Sequence, residues 1–591
     1  MVMSAQSACG ANAILSQCQV RQDGLVGWLE HAPEAQGRQV FCYYLDHKVH
    51  RLLDSGVSIR SRVNEYGARA WSFAKEGIVF VEESSQKIYF WRWLDNESPI
   101  LLGGEHGARY SEPCYVDRGH VVAIEEWQGV HRIVCFTTDG SRQVLREGED
   151  FYAGLAVSHE GMLAWVSWQH PQQPWTVTSL WQGMMHDHLL VEVDCIVSHD
   201  SSILMPVFDA TGRLLYLDDV EGFWQLYSYA EGVTVSVLAP GVDMANAPWQ
   251  SGWQLYGIDA AEQLWSTRFD GSGVTLWCNE ELCQPDAARQ IKELAVVGSR
   301  VVAIHAGPDC MGEISDYYNG RWHSIWRVPL PLDVEQPSQP EVLAFESEGQ
   351  TVYGYWYAPS HTSGALPVLI NLHGGPTSSS YPVFNPMFQF WNDHGFAVLD
   401  LNYRGSSNRG REFRLQLQHD WGQMEVDDVR CAVQQLIEQG RADPDKVFIR
   451  GRSSGGYSVL MALLNYQGFK AAAVYFGVSD PLRLHANTHK FESHYLPWLL
   501  GDMDETKTSY LQRVPTLRAL DINTPIVFFQ GLADKVVTPE QTVSMVEAIK
   551  GSGGKAEYHY FSDEGHGFRR PQNNIAALNA ELAFYRAAMV D

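Results

Sequence analysis

The chain has 591 residues, 45% of them apolar, and carries 70 acidic against 43 basic side chains, for a net charge of −27. A chain of this length and apolar content is expected to fold into two or more domains with separate cores. The strong negative charge argues against a nucleic-acid backbone or an anionic membrane as a partner.

The sequence shows no targeting or membrane-spanning pattern. Its first twenty residues lack a basic segment followed by a long apolar run, and no stretch reaches the roughly 18 apolar residues that a membrane helix needs. We therefore expect a soluble protein that is not exported and is cytoplasmic. The ten cysteines are scattered singly, and Cys278 and Cys283 lack further ligands at zinc-site spacing. We expect buried free thiols, no metal and no cofactor.

From about residue 24 to 335, short strand patterns rich in Trp and Tyr alternate with turns of Gly, Asp and Pro. The patterns recur roughly every 40 to 50 residues, which is typical of β-propeller blades of about four strands each. They begin near Gly27, Gly77, Val121, Met162, Leu214, Gln254 and Val301. The first half is therefore predicted to be an all-β propeller of about seven blades.

A segment rich in proline and acidic residues, 329–343, follows the propeller pattern as a linker would. Beyond it, apolar strand patterns such as KVFIR and PIVFFQG alternate with helical patterns. This alternation predicts a parallel sheet whose active residues lie at the carboxyl ends of its strands. We place a propeller domain with an N-terminal extension in residues 1–335 and an α/β domain in residues 336–591.

Ser453 lies where a strand pattern meets a helix pattern. KVFIR runs directly into the segment GRSSGG, and an apolar helical run follows at once. In the nucleophile elbow of an α/β-hydrolase, small neighbours permit a tight turn that lifts the serine hydroxyl clear of the sheet. The alternative is a glycine-rich turn in which Ser453 only caps a helix. The strand, the helix and the partners described next favour the catalytic interpretation.

A serine nucleophile needs a base that is itself oriented by an acid, and α/β-hydrolases carry them in the order Ser, Asp, His. Asp534 follows the strand PIVFFQG, and His566 follows the next strand pattern between two glycines. We therefore predict a triad of Ser453, Asp534 and His566. Asp563 is the alternative acid, but it is close to His566 in sequence and poorly placed to hold the ring from behind.

An oxyanion hole needs two N–H donors, one from the residue after the nucleophile and one from the loop after an earlier strand. Ser454 is the first. The strand PVLINL runs into the segment HGGP, whose glycines allow a close approach to a substrate carbonyl. We assign the second donor to Gly375. An ordinary strand-ending turn would explain the glycines and the proline but not their position in a hydrolase sheet.

Six motifs in order, HGGP, NYRGSSNRGREF, WGQMEVDDV, GRSSGGYS, QGLADKVVTP and EGHGF, resemble the prolyl oligopeptidase family of serine peptidases. The resemblance covers the whole chain, because the family also carries a β-propeller. Within the family, NEYG at 64–67, THKFES at 488–493 and the ending ALNAELAFY are similar to the bacterial aminopeptidase-like group that includes puromycin hydrolase. Dipeptidyl-peptidase and prolyl-endopeptidase members place a tyrosine where this chain has His373.

The resemblance implies hydrolysis of short peptides or aminoacyl amides through an acyl-enzyme, at a site between the domains to which the propeller limits access. We predict an aminopeptidase or a dipeptidyl-type exopeptidase. The alternative is an acylaminoacyl peptidase or an esterase with the same triad, although acylaminoacyl members carry an arginine where this chain has Val536. A third hypothesis, a binding scaffold with an inactive hydrolase domain, is disfavoured by the intact triad. A homo-oligomer is left open.

A substrate with a free amino terminus needs a countercharge when its amine enters a partly desolvated cleft. Glu65 in NEYG is our first candidate for this carboxylate, followed by Glu125 and Glu126. The alternative is that Glu65 pairs with Arg62 or Arg69 and holds a blade loop. We expect the pocket for the residue at the cleavage site to draw on the segment 478–495.

Overall fold

The computed structural model describes residues 2–10, 13–116, 119–137, 140–186, 188–331, 334, 336–360, 364–501 and 511–590. Over these residues the first half forms seven four-stranded antiparallel sheets and the second half forms one eight-stranded sheet flanked by helices. The predicted β-propeller of about seven blades and the C-terminal α/β-hydrolase fold are both confirmed.

Each blade is built from four strands that are consecutive in sequence. In chain order the blades are β1 (Ile14–Val20), β2 (Val26–His31), β3 (Gln39–Leu45), β4 (Lys48–Arg51); β5 (Trp71–Ala74), β6 (Gly77–Val81), β7 (Ile88–Trp91), β8 (Ile100–Gly103); β9 (Arg109–Val116), β10 (His120–Trp127), β11 (Val130–Phe136), β12 (Arg142–Arg146); β13 (Phe151–Val157), β14 (Met162–Trp168), β15 (Ser179–His186), β16 (Leu189–Ser198); β17 (Ile203–Phe208), β18 (Leu214–Asp218), β19 (Gln225–Ala230), β20 (Val233–Leu238); β21 (Tyr256–Ile258), β22 (Leu264–Asp270), β23 (Gly273–Cys278), β24 (Glu281–Leu282); and β25 (Gln290–Val297), β26 (Arg300–Gly307), β27 (Cys310–Tyr318), β28 (Arg321–Arg327).

The recurrence in the sequence marks mainly the second strand of each blade. Six of the seven predicted positions lie in such a strand, and Gln254 instead precedes the first strand of the sixth blade. Every residue of β6 and β18 is buried, whereas most of the outer strand β20 is exposed. The second strands are covered on both faces and therefore carry the most continuous apolar pattern.

The ring closes between the first and the last blade. Backbone N–H groups of Gln17 and Cys18 each donate to the carboxylate of Glu293 at 2.8 Å. Around them, Leu15 and Trp28 of the first blade pack in one apolar cluster with Ile304 of the last. Burial raises the pKa of Glu293 to about 7. Apolar packing and this buried carboxylate together join the two ends of the propeller.

The eight-stranded sheet has the order β29-β30-β32-β31-β33-β34-β35-β36. Its strands are β29 (Glu341–Ser347), β30 (Gln350–Tyr357), β31 (Leu366–Leu372), β32 (Ala397–Asn402), β33 (Ala442–Arg452), β34 (Ala471–Tyr475), β35 (Ile526–Gly531) and β36 (Ala556–Phe561). β29 pairs antiparallel with β30, β30 pairs antiparallel with β32, and all other pairs are parallel. The carboxyl ends of β31, β33, β35 and β36 therefore meet at one edge of the sheet.

Helices cover both faces of this sheet. They are α1 (Ala5–Cys9), α2 (Pro386–Asp393), α3 (Gly410–Leu415), α4 (Met424–Glu438), α5 (Ser454–Asn465), α6 (Pro481–Asn487), α7 (Tyr495–Leu500), α8 (Pro539–Gly551) and α9 (Pro571–Val590). None of the described helices is long and apolar enough to span a membrane. The ten cysteines are free thiols, and five of them are buried.

The N-terminal segment lies against the α/β domain. We assigned it to the propeller domain as an extension, but α1 packs instead on α2 and α9, and Met3, Ala5 and Ala8 belong to the apolar cluster of that sheet face. The backbone N–H of Met3 also donates to Asp393 at 2.9 Å. The propeller strands end at residue 327 and the large sheet begins at residue 341. The predicted boundary at residue 335 lies outside the described residues.

Candidate active site

Ser453 forms a sharp turn between β33 and α5, with φ of +52° and ψ of −121°. This left-handed backbone is unfavourable for serine, so the surrounding structure must hold it. Two glycines make the turn sterically possible. A Cβ on Gly451 would lie 2.2 Å from the carbonyl oxygen of Gly455, and one on Gly455 would lie 2.4 Å from that of Leu372. The predicted elbow geometry is therefore present at Ser453.

A continuous chain of hydrogen bonds links the three residues of the predicted triad. Nε2 of His566 lies 3.0 Å from Oγ of Ser453, and Nδ1 of His566 lies 2.9 Å from Oδ2 of Asp534. Because an ionised carboxylate only accepts, Nδ1 carries the ring proton and Nε2 is the acceptor for the serine hydroxyl. In this arrangement the imidazole can remove the proton from Ser453.

The carboxylate of Asp534 is fixed from behind. Its Oδ1 accepts the backbone N–H groups of Val536 and Val537, each at 2.9 Å, and the amide of Gln530 lies 3.4 Å from Oδ2. The Asp534 side chain has no exposed surface. A buried carboxylate needs several donors of this kind, and these donors also set the direction in which Oδ2 faces His566.

Asp563, the alternative acid, faces a different partner. Its carboxylate pairs with Nε of Arg570 at 3.0 Å and accepts the side-chain amide of Asn573 at 3.0 Å. Among the hydrogen bonds of the described residues, none joins Asp563 to His566. These contacts favour Asp534 over Asp563 as the acid that orients the imidazole.

Both predicted oxyanion donors lie in one pocket with Ser453. Ser454 is the first residue of α5, where backbone N–H groups have no partner within the helix. Gly375 lies on the loop after β31, and it lines the same pocket as Ser453 and Ser454. Its φ is +129°, and a Cβ there would lie 2.8 Å from the backbone nitrogen of Thr377. Only glycine fits this position without strain.

His373 anchors the loop that carries Gly375. Its Nδ1 lies 2.8 Å from the carbonyl oxygen of Gly374, and its Nε2 lies 2.8 Å from Oγ of Ser406. Because a carbonyl oxygen only accepts, Nδ1 carries the proton and Nε2 accepts from the serine. The ring stacks on Tyr403 with centroids 4.4 Å apart, and burial lowers the pKa of His373 to about 4. His373 is therefore a neutral structural residue at pH 7.

Glu65 already has a cationic partner. Its Oε1 lies 2.6 Å from a guanidinium nitrogen of Arg109, which also approaches Glu126 at 3.7 Å. The sequence left open a structural ion pair with Arg62 or Arg69, and the structure gives an ion pair with Arg109 instead. This contact favours the structural interpretation of Glu65.

Glu125 has no access to a substrate. Its side chain is fully buried, and it forms ion pairs with Arg132 and Arg142. It also accepts the hydroxyl of Tyr110 at 2.8 Å. Glu126 is 20% exposed and accepts the backbone N–H of Asn64 at 2.8 Å. The second of the two neighbouring glutamates therefore holds the turn of the NEYG loop.

A cleft of about 770 Å³ opens between the two domains beside His566. His566 and Lys535 line it from the hydrolase side, and Arg60, Glu65 and Arg109 line it from the propeller side. Volumes of several hundred Å³ are typical of sites for small ligands. The cleft therefore offers a small ligand a route to His566.

Tyr66 and Glu492 form a contact that the sequence did not predict. The Tyr66 hydroxyl, from the propeller motif NEYG, donates to Oε1 of Glu492 in the hydrolase motif THKFES. Glu492 lines the same pocket as Ser453, together with Val478 and Tyr495 from the segment 478–495 that we expected there. The motifs NEYG and THKFES indicated only a resemblance to the family. No local pattern in either motif indicates that two segments so far apart in the sequence are in contact.

The motif NYRGSSNRGREF joins the domains. The backbone N–H of Gly410 donates to Asp243 of the propeller at 2.7 Å, and Arg411 lies 3.2 Å from Asp219. Arg414, directly after the motif, also pairs with Asp219. Burial raises the pKa of Asp243 to about 6. These residues hold the propeller against the hydrolase domain and do not contact the predicted triad.

The chain matches the model of the prolyl oligopeptidase family over residues 382–590. Dipeptidyl aminopeptidase BIII of Pseudoxanthomonas mexicana is 30% identical over 217 residues, which are 36% of this chain and 32% of that protein. The acylamino-acid-releasing enzyme of Arabidopsis thaliana is 28% identical over 230 residues, 37% and 30% of the two chains. The matched segments thus span about a third of the length of these curated relatives.

A solved structure extends the likeness to both halves of the chain. The puromycin-hydrolyzing peptidase of Mycobacterium tuberculosis is 28% identical, with a TM-score of 0.93 over 99% of this chain and 96% of that one. The propeller and the eight-stranded sheet are therefore shared. Residues 382–590 therefore carry a prolyl oligopeptidase family domain.

Proposed function

We propose that this chain is a serine peptidase that hydrolyses short peptides or aminoacyl amides through an acyl-enzyme. The observation that carries the proposal is the hydrogen-bonded chain from Asp534 through His566 to Ser453. The family match and the likeness to a puromycin-hydrolyzing peptidase support it. Ser453 is the nucleophile, His566 the general base and acid, and Asp534 the residue that orients the imidazole.

In the first half of the reaction, Oγ of Ser453 attacks the scissile carbonyl carbon while Nε2 of His566 takes its proton. The backbone N–H groups of Ser454 and Gly375 donate to the oxygen that becomes negatively charged. The tetrahedral intermediate collapses, the leaving amine receives the proton from His566, and the acyl group stays on Ser453. A water molecule, deprotonated by the same histidine, then attacks the ester and releases the acid.

We propose that the enzyme is an aminopeptidase or a dipeptidyl-type exopeptidase. A dipeptidyl aminopeptidase is among the relatives, and the chain resembles a puromycin-hydrolyzing peptidase over nearly its full length. A carboxylate can bind the substrate's protonated amino terminus through a charge-assisted hydrogen bond. Glu65 is the residue that the sequence predicts for this role, and Glu65→Gln tests it.

An acylaminoacyl peptidase or an esterase with the same triad is the second candidate. Its support is the 28% identity to the acylamino-acid-releasing enzyme of Arabidopsis thaliana. Against it, Val536 occupies the position at which acylaminoacyl members carry an arginine. The two candidates are separated by comparing the turnover of a good free-amine substrate with that of its N-acetylated form. Acetylation should abolish most of the turnover by an exopeptidase, whereas it should increase the turnover by an acylaminoacyl peptidase.

Reaction with a fluorophosphonate tests whether the chain is a serine hydrolase. The reagent phosphonylates an activated serine with loss of fluoride, so we expect a single adduct on Ser453 by mass spectrometry. Ser453→Ala is the control and should remain unmodified. Wild-type protein that is folded but unmodified would leave the inactive scaffold as the better hypothesis.

The proposal also includes the domain bounds, the location and the partners of the chain. We propose a propeller domain over residues 1–335 and a hydrolase domain over residues 336–591, with the N-terminal helix docked on the hydrolase domain. The cytoplasmic location and the absence of nucleic-acid or membrane partners stay predictions of the sequence, and a homo-oligomer stays open.

A further inference from the structure

Glu492 is the carboxylate of the pocket that also contains Ser453 and Gly375. The other side chains of that pocket are mainly apolar and belong to Trp421, Val478, Leu484, Tyr495, Leu496, Leu499, Val536 and Val537. An acidic group in such a wall contributes nothing to apolar packing. A carboxylate at the position of Glu492 therefore favours a ligand with a polar or charged group.

Glu492 has no lysine or arginine partner among the described residues. Its contacts are the hydroxyl of Tyr66, the hydroxyl of Thr488 at 3.4 Å and Nε2 of His489 at 3.7 Å. Among the residues that the structure describes, no lysine or arginine forms an ion pair with it, and its side chain is only 13% exposed. A carboxylate this far removed from water, without a permanent cation, gains strongly from a cation supplied by a ligand.

The other candidate carboxylates differ in this respect. Glu65 and Glu126 share Arg109, and Glu125 is fully buried between two arginines. A substrate amine at any of these sites would have to compete with a guanidinium that is already bound. Among the residues that the structure describes, no guanidinium competes in this way at Glu492.

Tyr66 holds the carboxylate in place. Its buried hydroxyl donates to Oε1 of Glu492, and its ring packs edge-on against Trp249, His489 and Phe491. Burial, strengthened by the negative charge of Glu492, raises the pKa of Tyr66 well above its ordinary value. The hydroxyl therefore stays a donor, and the propeller fixes the carboxylate without cancelling its charge.

We propose that Glu492 binds the protonated α-amino group of the substrate's N-terminal residue and that Tyr66 is its positioning residue. This rests on the proposed function and makes the enzyme an aminopeptidase rather than a dipeptidyl peptidase. In an N-terminal residue the amino nitrogen is two bonds from the carbonyl carbon that Ser453 attacks. The carboxylate that binds it must line the pocket of the nucleophile and the oxyanion donors, as Glu492 does. The apolar walls then accept an uncharged side chain.

The test compares leucine benzyl ester with benzyl 4-methylpentanoate, which lacks only the amino group. For Glu492→Gln, we expect the ratio of kcat/KM for the two esters to fall about ten- to a hundred-fold, the value of a hydrogen bond to a charged group. Glu492→Asp, which keeps the charge on a shorter side chain, should retain more of the ratio. Glu547→Gln, which changes an exposed glutamate of α8, is the matched control and should keep it.

The positioning role of Tyr66 has its own readout. Tyr66→Phe removes only the hydroxyl that donates to Glu492. We therefore expect a smaller fall of the same ratio, caused by a higher KM for the amino ester. A variant in which kcat falls equally for both esters would show a structural role for Tyr66 instead.

Three results would overturn the proposal for Glu492. In the first, the ratio is unchanged in Glu492→Gln. In the second, the ratio falls in Glu65→Gln instead. In the third, Glu492→Gln loses activity only toward substrates with a lysine or arginine side chain. Fluorophosphonate modification of Ser453 is measured in every variant. Wild type that is unmodified refutes the proposed function itself, whereas modified protein with no preference for the amino ester refutes only the role of Glu492.

Discussion

Asp219 of the propeller and Arg414 of the hydrolase domain form an ion pair in which both side chains are fully buried. The guanidinium of Arg414 also lies over the ring of Trp224, 3.7 Å from its centroid. Asp219 accepts the backbone N–H of Ser202 at 2.6 Å and a second guanidinium, that of Arg411, at 3.2 Å. Since neither charge is in contact with water, each depends on the other across the domain interface.

Removing one partner of this pair should destabilise the protein strongly. For Asp219→Ala we expect a loss of about 3 to 5 kcal/mol, because the charge of Arg414 stays buried without its countercharge. The midpoint of urea unfolding, followed by tryptophan fluorescence, measures the loss. Asp200→Ala is the control: its carboxylate pairs with Arg411 at 3.1 Å but is 87% exposed, so about 1 kcal/mol or less is expected. Equal losses in both variants would contradict the prediction.

The residues of the triad should act as a unit. Ser453→Ala and His566→Ala are each expected to lower kcat by several orders of magnitude, as in subtilisin, where comparable changes cost about 10⁶. Circular dichroism should show unchanged folding. Asp534→Asn should cost somewhat less, and Asp563→Asn, whose contacts are Arg570 and Asn573, serves as the control. An inactive Asp563→Asn beside a fully active Asp534→Asn would reverse our assignment of the acid.

The parts of the site that the sequence predicted depend on local geometry. The turn at Ser453 follows from a strand, two glycines and a helix that are contiguous in the chain. Asp534 and His566 could be identified because each follows a recognisable strand, and in a parallel sheet those strand ends meet. The steric demands of the turn and the meeting of parallel strand ends at one edge were therefore enough to predict Ser453, Asp534 and His566, which lie within hydrogen-bonding distance in the structure.

The parts that the sequence missed depend on how the two domains dock. Tyr66 and Glu492 are 426 positions apart, and their contact follows from the rotation of the propeller on the hydrolase domain. The ion pair of Glu65 was missed for a related reason within the propeller, because Glu65 lies between the first and second blades and its partner Arg109 begins the third. The periodicity of the strand patterns predicts the number of blades, but it does not indicate which loops are in contact. The docking of the five-residue helix α1 was missed for the same reason.

Access between the domains should limit the size of substrates. The cleft beside His566 has a volume of about 770 Å³, which admits a short peptide but not a folded protein. We expect tryptic peptides of ribonuclease to be shortened from their amino ends while native ribonuclease stays intact over the same incubation. Mass spectrometry follows both, and Ser453→Ala excludes contaminating peptidases. Efficient digestion of the native protein would contradict the size limit.

A buried carboxyl group in the hydrolase domain predicts how stability depends on pH. Glu425 of α4 has no exposed surface, accepts the backbone N–H of Gly422 at 2.8 Å and accepts the hydroxyl of Ser458 at 2.9 Å. Burial, with a smaller contribution from the neighbouring charge of Asp428, raises the pKa of Glu425 from its ordinary 4.5 to about 7. The folded protein therefore holds this proton at pH values where the unfolded chain has lost it.

Between pH 4.5 and about 7, the folded state binds more protons at Glu425 than the unfolded state, so this residue's contribution to the free energy of unfolding falls as pH rises. Glu425→Gln removes that dependence. We expect Tm of the variant minus Tm of wild type to increase from pH 4.5 to 7 and to be level above pH 7. Glu438→Gln, exposed at the end of the same helix, should show no such slope. A difference that is flat across this range would show that Glu425 ionises in the folded protein as it does in the unfolded chain.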